Sequence, residues 1–188
     1  MEKEQETKNK QDKKKRLMNE LMEDVALVAI VLVVVFVVKH FLIINAVIPS
    51  ASMENTIMTE DRIFGNRLAY TFGEPQRGDI AIFKFPDNEK ELFIKRVIGL
   101  PGDKVEIRDG LVYINDSQEP LEEDYLRETP VGDFGPYYVP EGYYFMLGDN
   151  RNYSKDSRLW VHPYVARDKI LAKAAFRYYP FHSIGIIK

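Results

Sequence analysis

No cysteine occurs in the 188 residues, which excludes disulfides, thiol nucleophiles and thiolate metal ligands. Histidine is almost as scarce. Only His40, His162 and His182 are present, and none stands in an HExxH or paired spacing, so neither a metal nor another cofactor is expected. Charge of neither sign dominates: 26 Lys and Arg face 29 Asp and Glu, for a formal net charge of −3. That balance offers no basic surface for nucleic acid. No internal repeat is apparent. What the chain does have is 45% hydrophobic and 29% charged residues, the balance of a folded protein with one main domain.

One segment departs from that balance. Val25 to Val38 is apolar without interruption, and after Lys39 and His40 the run resumes as FLII up to Ile44. Together these make about twenty residues, enough for a helix to cross a hydrocarbon core of about 30 Å if Lys39 reaches toward the headgroups. The competing reading is a cleaved secretory signal, with Ala51 imitating the small residue of its cut. The long preceding tail favours an uncleaved anchor over residues 25–44. The cluster Lys13 to Arg16 lies just before the span, so the positive-inside tendency keeps the N-terminus cytoplasmic and exports the domain that follows. Residues 1–24 begin with MEKEQETKNKQDKKKR, a polar stretch expected to be a disordered cytoplasmic tail.

Residues 45–188 read as β structure. Short runs rich in Val, Ile, Tyr and Phe alternate with Gly, Pro and Asp, without extended helical periodicity. Strands are expected at Asp79 to Phe85, at Leu92 to Gly99, at Tyr143 to Leu147, and on both sides of Asp109-Gly110. That pair suits a type I′ hairpin, because both central positions require positive φ. Pro101-Gly102 is a second turn signal. Residues 116–136 are polar, acidic and turn-rich, and read as a surface excursion. Trp160 reads as core, and His162 and His182 as structural.

Two segments attract chemical attention. VIPSASMENTI, Val47 to Ile57, is a strand end entering a loop with two serines, and serines in loops ordinarily cap or turn. In FIKRVIGLPGD, Phe93 to Asp103, strand alternation puts Phe93, Lys95 and Val97 on one face and Ile94, Arg96 and Ile98 on the other. A lysine on a buried face loses hydration, which favours its neutral form. A neutral amine accepts a proton, and a serine hydroxyl needs such a base before it becomes a useful nucleophile. Alternation does not say which basic residue is buried, nor which serine reacts.

A resemblance closes those gaps. PSASM at Pro49 to Met53, RGDIAIF at Arg77 to Phe83, FIKRVIGLPGD, and GDNRNYSKDSR at Gly148 to Arg158 closely resemble, in order, the four catalytic-domain boxes of bacterial type I signal peptidases. These leader peptidases are Ser/Lys-dyad serine proteases, and the short loop from Lys104 to Leu147 resembles their compact, Gram-positive-like form. The resemblance implies a mainly β fold, a compact antiparallel sheet or barrel-like catalytic domain behind one N-terminal transmembrane helix. It implies Ser52 as nucleophile and Lys95 as general base. Ser50 would complete an oxyanion hole with the backbone N–H of Ser52, Ser154 would orient the lysine, and Asp156 with Arg158 would form a supporting ion pair. Ile48, Met53, Ile57, Phe93 and Ile94 match positions of shallow substrate pockets.

By the same resemblance the activity is removal of signal peptides from exported preproteins, cutting after a small residue of an A-x-A-like site. The partners are then those signal peptides and the lipid bilayer, the location is the cell membrane, no nucleic acid is bound, and a monomer is expected. Two positions depart from the family pattern: Asn55 stands where proline is usual, and Val161 where glycine is common. A self-cleaving repressor-type Ser/Lys peptidase would carry a DNA-binding helix pair in place of the anchor. A non-cutting accessory protein would lack the serine or the lysine, and both are present.

Overall fold

The computed structural model describes residues 2 to 187, with side chains described from Lys15 onward. The chain forms two compact units, residues 1–41 and 42–188.

The first unit is helix α1, Glu2–Val37, which runs into a π-helical turn at Val38–Leu42. Within them Lys15–Leu42 is long and apolar enough to cross a membrane, and an 18-residue window of it has a mean hydropathy of 2.9 with no buried residue. Lys15 to Asp24, expected in a disordered tail, lie in the helix. Leu, Met, Glu and Arg are all good helix formers, and neither Gly nor Pro interrupts them. For residues 1–14 side chains lie outside the described residues. Ile43 and Ile44 are not part of the span. They open strand β1, Ile43–Val47, where Ile44 pairs with Gly65 and is buried.

The second unit is mainly β, and its strands pair antiparallel. After β1 come β2, Arg62–Asn66, a short helix α2, Leu68–Thr71, β3, Ile80–Phe85, and the long β4, Asn88–Gly99. A small sheet follows, built from β5, Lys104–Arg108, β6, Leu111–Ile114, and β7, Phe134–Tyr138. The chain then returns through β8, Tyr143–Leu147, β9, Tyr164–Ala166, β10, Ile170–Tyr179, and β11, Gly185–Ile186. The large sheet has the order β1-β2-β10-β3-β4-β8-β9, with β11 also on β10, and the small one is β6-β5-β7. The expected turns are in place. Asp109 and Gly110 have φ of 50° and 80°. Gly102 has φ +83° beneath an Asp103 N–H that donates to Leu100 O.

Strand β4 is the spine of this unit, because both faces of its second half, Ile94 to Gly99, are covered. Ile94 enters a core with Ile63, Ile80 and Ile82. Val97 enters a second with Phe83, Met146 and Trp160, and Ile98 a third with Val105, Val112 and Phe145. Burying a Val, Ile or Phe side chain contributes roughly 1.5–3 kcal/mol, so three cores meeting on one strand hold it rigidly. Trp160 is buried against Phe85 and Phe93, as its sequence context suggested.

Candidate functional site

The loop after β1 is where the first serines lie. Ser50 is extended (φ −137°, ψ 156°), and a single 3-10 turn, Ala51–Met53, follows it. The turn has no side-chain cap. It is held by tertiary contacts instead: Asn150 donates its backbone N–H to Ser52 O at 3.1 Å and its side-chain amide to Ala51 O at 3.0 Å. Ser52 is thereby turned inward and buried, while Ser50 stays exposed with its Oγ 3.4 Å from Ser52 Oγ.

Lys95 approaches from β4. Its amine donates to Ser52 Oγ at 2.6 Å and to Ile94 O at 3.0 Å, and lies 5.5 Å from the centre of the Phe93 ring. The side chain is only 3% exposed. Burial lowers its pKa from 10.5 to about 8, against the opposing pull of the Asp156 and Asp149 carboxylates. Desolvation wins because an ammonium without water or a contacting carboxylate loses more hydration than distant charges return.

Its neighbour Arg96 is equally buried, on the other face of the same strand. One wet basic residue was the ordinary expectation for such a pair; here both are inside. Arg96 escapes the lysine's fate because it is fully paired: Nε and Nη2 reach the two Asp149 oxygens at 2.9 and 2.7 Å, and Nη1 reaches Gly78 O at 2.7 Å. Removing one partner of such a buried pair typically costs 3–5 kcal/mol.

The last sequence box wraps around this arrangement. Asp156 and Arg158 form the expected ion pair, with both contacts at 2.8 Å. Asp156 also accepts the Gly148 N–H at 3.0 Å. Ser154, expected to hold the lysine amine, makes no hydrogen bond to it; its hydroxyl is buried and without a partner among the described residues. The amine's hydrogen bonds run to Ser52 and Ile94 instead.

Beside the Ser52–Lys95 pair opens a cleft with a volume of about 320 Å³, lined by Pro49 to Ser52, Leu92 to Lys95, Tyr153 and Lys155. Of the five residues expected to shape pockets, Phe93 and Ile94 line it. Ile48, Met53 and Ile57 are enclosed in the first core, at 2%, 0% and 0% exposure. Ile48 is drawn inward by backbone hydrogen bonds to Asp61 and Glu60. Sequence reasoning missed Leu92, Tyr153 and Lys155. All three flank residues that it did single out, and strand or turn alternation gave no reason to prefer them.

A serine, a desolvated amine and a cleft make a site for acyl transfer, and similarity to known proteins points the same way. The family described as "Signal peptidase, peptidase S26" matches residues 21–179. The chain belongs to the signal peptidase family. A probable signal peptidase I-2 of a Synechocystis species is 41% identical over 74% of this chain, which spans 65% of that protein's length. Signal peptidase I of Leptolyngbya laminosa is 38% identical over 88% of this chain and 83% of its own. Signal peptidase I T of Bacillus subtilis is 33% identical over 96% and 97%. Family membership extends over nearly all of the β unit and the apolar half of α1.

Proposed function

We propose that the chain is a membrane-anchored serine endopeptidase that removes N-terminal signal peptides from exported preproteins, cutting after a small residue. The observation that carries this reading is the 2.6 Å contact between a buried, desolvated Lys95 amine and Ser52 Oγ at the wall of a cleft. With the amine neutral, its lone pair accepts the Ser52 proton as Oγ attacks the scissile carbonyl. The resulting ammonium returns that proton to the leaving amine of the mature protein. The same base then activates water to hydrolyse the acyl-serine between the signal peptide and Ser52.

Ser50 Oγ, 3.4 Å from Ser52 Oγ, donates to the oxyanion together with the Ser52 N–H. A donor of this kind contributes about 3–4 kcal/mol to transition-state stabilisation. Ser154, with its unpaired buried hydroxyl, supplies the lysine with a partner once the amine has turned from Ser52. Phe93 and Ile94 offer apolar contact to a small substrate side chain. The basic cluster before the span supports an N-terminus on the cytoplasmic side and a catalytic unit outside, in a monomer held at the bilayer. Tethering enzyme and substrate to one membrane raises their effective concentration.

The experiment is cleavage of a purified preprotein by the full chain in detergent. The wild type is expected to release a fragment cut after a small residue, and Ser52→Ala to release none. A Ser52→Ala protein that cuts at the wild-type rate ends this reading.

A further inference from the structure

The acidic excursion between β6 and β7 is not a bystander. Glu123 and Arg151 form an ion pair with side-chain exposures of only 5% and 3%. Arg151 Nη1 meets Glu123 Oε2 at 2.9 Å, and Nη2 meets the other oxygen. Tyr125 donates its hydroxyl to the same carboxylate and lays its ring 3.8 Å from the Arg96 guanidinium carbon. Further along, the Val131 N–H donates to Asn152 Oδ1 at 3.1 Å, and the Asn152 amide donates to Thr129 O at 3.2 Å.

These ties end on β4, which carries Lys95, and on the turn after β8 that pins Ser52. Arg96 adjoins Lys95 on β4 and grips Asp149. Arg151 holds Gly148 O at 3.1 Å, and between Gly148 and Arg151 stands Asn150, whose N–H holds Ser52 O. We propose that the excursion is a strap, in which Glu123 and Tyr125 are positioning residues that clamp the Gly148–Arg151 turn to β4 and so keep Ser52 Oγ in register with the Lys95 amine. This rests on the dyad reading above. A one-ångström misplacement of reacting groups costs about 10²-fold in rate even when caused far from the chemistry. A strap made of one buried bidentate ion pair and one ring on a guanidinium resists that order of displacement.

The strap acts on the Ser52 side of the cleft, whereas Phe93 and Ile94, the apolar residues offered to the substrate, belong to β4 itself. Loss of the strap therefore lowers kcat and leaves KM nearly untouched. The test is steady-state kinetics of the full chain on a preprotein, corrected for folded fraction, at a temperature well below each variant's unfolding midpoint. Glu123→Gln and Tyr125→Ala are each expected to lower kcat about tenfold with KM within about twofold. Tyr125→Phe keeps the ring on Arg96 and is expected to stay within about twofold of wild type. Ile107→Val in the small sheet, a loss of core packing that removes none of the Glu123, Tyr125 and Arg151 contacts, is expected to lower stability and leave kcat alone. If Glu123→Gln fails to fold, the Tyr125 pair decides. Wild-type kcat in folded Tyr125→Ala, or a fall in kcat for Ile107→Val to match, overturns the strap. A wild-type chain that cuts nothing overturns the dyad reading instead.

Discussion

The Lys95 amine lies 2.6 Å from Ser52 Oγ and touches no carboxylate among the described residues. The acids that could have claimed it are occupied: Asp149 by Arg96, and Asp156 by Arg158. Two arginines thus leave one lysine unpaired in a dry place, and the pKa of about 8 follows from that division.

Activity is therefore expected to rise with pH through about 8 and to level off above it, because only the neutral amine accepts the serine proton. The measurement is kcat/KM between pH 6 and 10 on a substrate that does not itself titrate there. A limb displaced to the ordinary lysine value near 10.5 would mean that Lys95 is hydrated in solution. A chelator is expected to leave the profile unchanged.

The same shift has a cost in stability. The folded state holds Lys95 with a pKa of about 8, against 10.5 in its unperturbed form. Below pH 8 both states carry the proton and the folded state bears the full penalty. Between 8 and 10.5 the unfolded state binds more protons than the folded one, so stability rises with pH. Lys95→Met is expected to abolish cleavage and to stabilise the protein at pH 7 by about 1–3 kcal/mol, allowing for the lost hydrogen bonds. That advantage shrinks toward pH 10.5. Thermal unfolding of both proteins at pH 7 and pH 10 checks it, and a variant less stable than wild type at pH 7 contradicts it.

Much of the site was legible, and the limit is physical. Alternation along β4 correctly separated Lys95 from Arg96 because the period of a strand is fixed by covalent geometry. It said nothing about burial on both sides, which depends on β8 and on the last sequence box some fifty residues away. The hairpin at Asp109-Gly110 and the turn at Pro101-Gly102 were readable because positive φ is demanded locally. Strand β10 was not singled out, since its Ala-rich ILAKAAFRYY matches a strand only once β2 and β3 flank it. Ile48, Met53 and Ile57 carry no mark distinguishing pocket from core. Glu123 looked like solvated charge, and only the fold reveals that Arg151 receives it.

Asn55 answers one question that the sequence raised. Its φ is 91°, a left-handed value that proline, fixed near −65°, does not adopt. Asparagine tolerates positive φ better than most residues. The departure from proline thus belongs to the loop's own geometry, with Thr56 and Ile57 N–H groups turned onto Met53 O. Asn55→Pro is expected to destabilise the protein by about 1–3 kcal/mol through this strain and to lower activity, while Asn55→Gly keeps wild-type cleavage. Unfolding midpoints with parallel cleavage assays distinguish the two.

Gly148 provides the sharpest steric test of the site. Its φ is not left-handed, so the need for glycine here is one of space. A Cβ at this position would overlap the Ser52 carbonyl oxygen and the Ser154 side chain. The Ser52 oxygen belongs to backbone already pinned by Asn150, and moving it moves Ser52 Oγ away from the Lys95 amine. Gly148→Ala is expected to fold, because the three cores are untouched, and to lose about 10²-fold in kcat/KM, the scale of an ångström's displacement. If the Ser154 side chain alone yields, activity survives and the alanine protein cuts like wild type. Cleavage assays at pH 9, where Lys95 is largely neutral, separate these outcomes without interference from the lysine's titration.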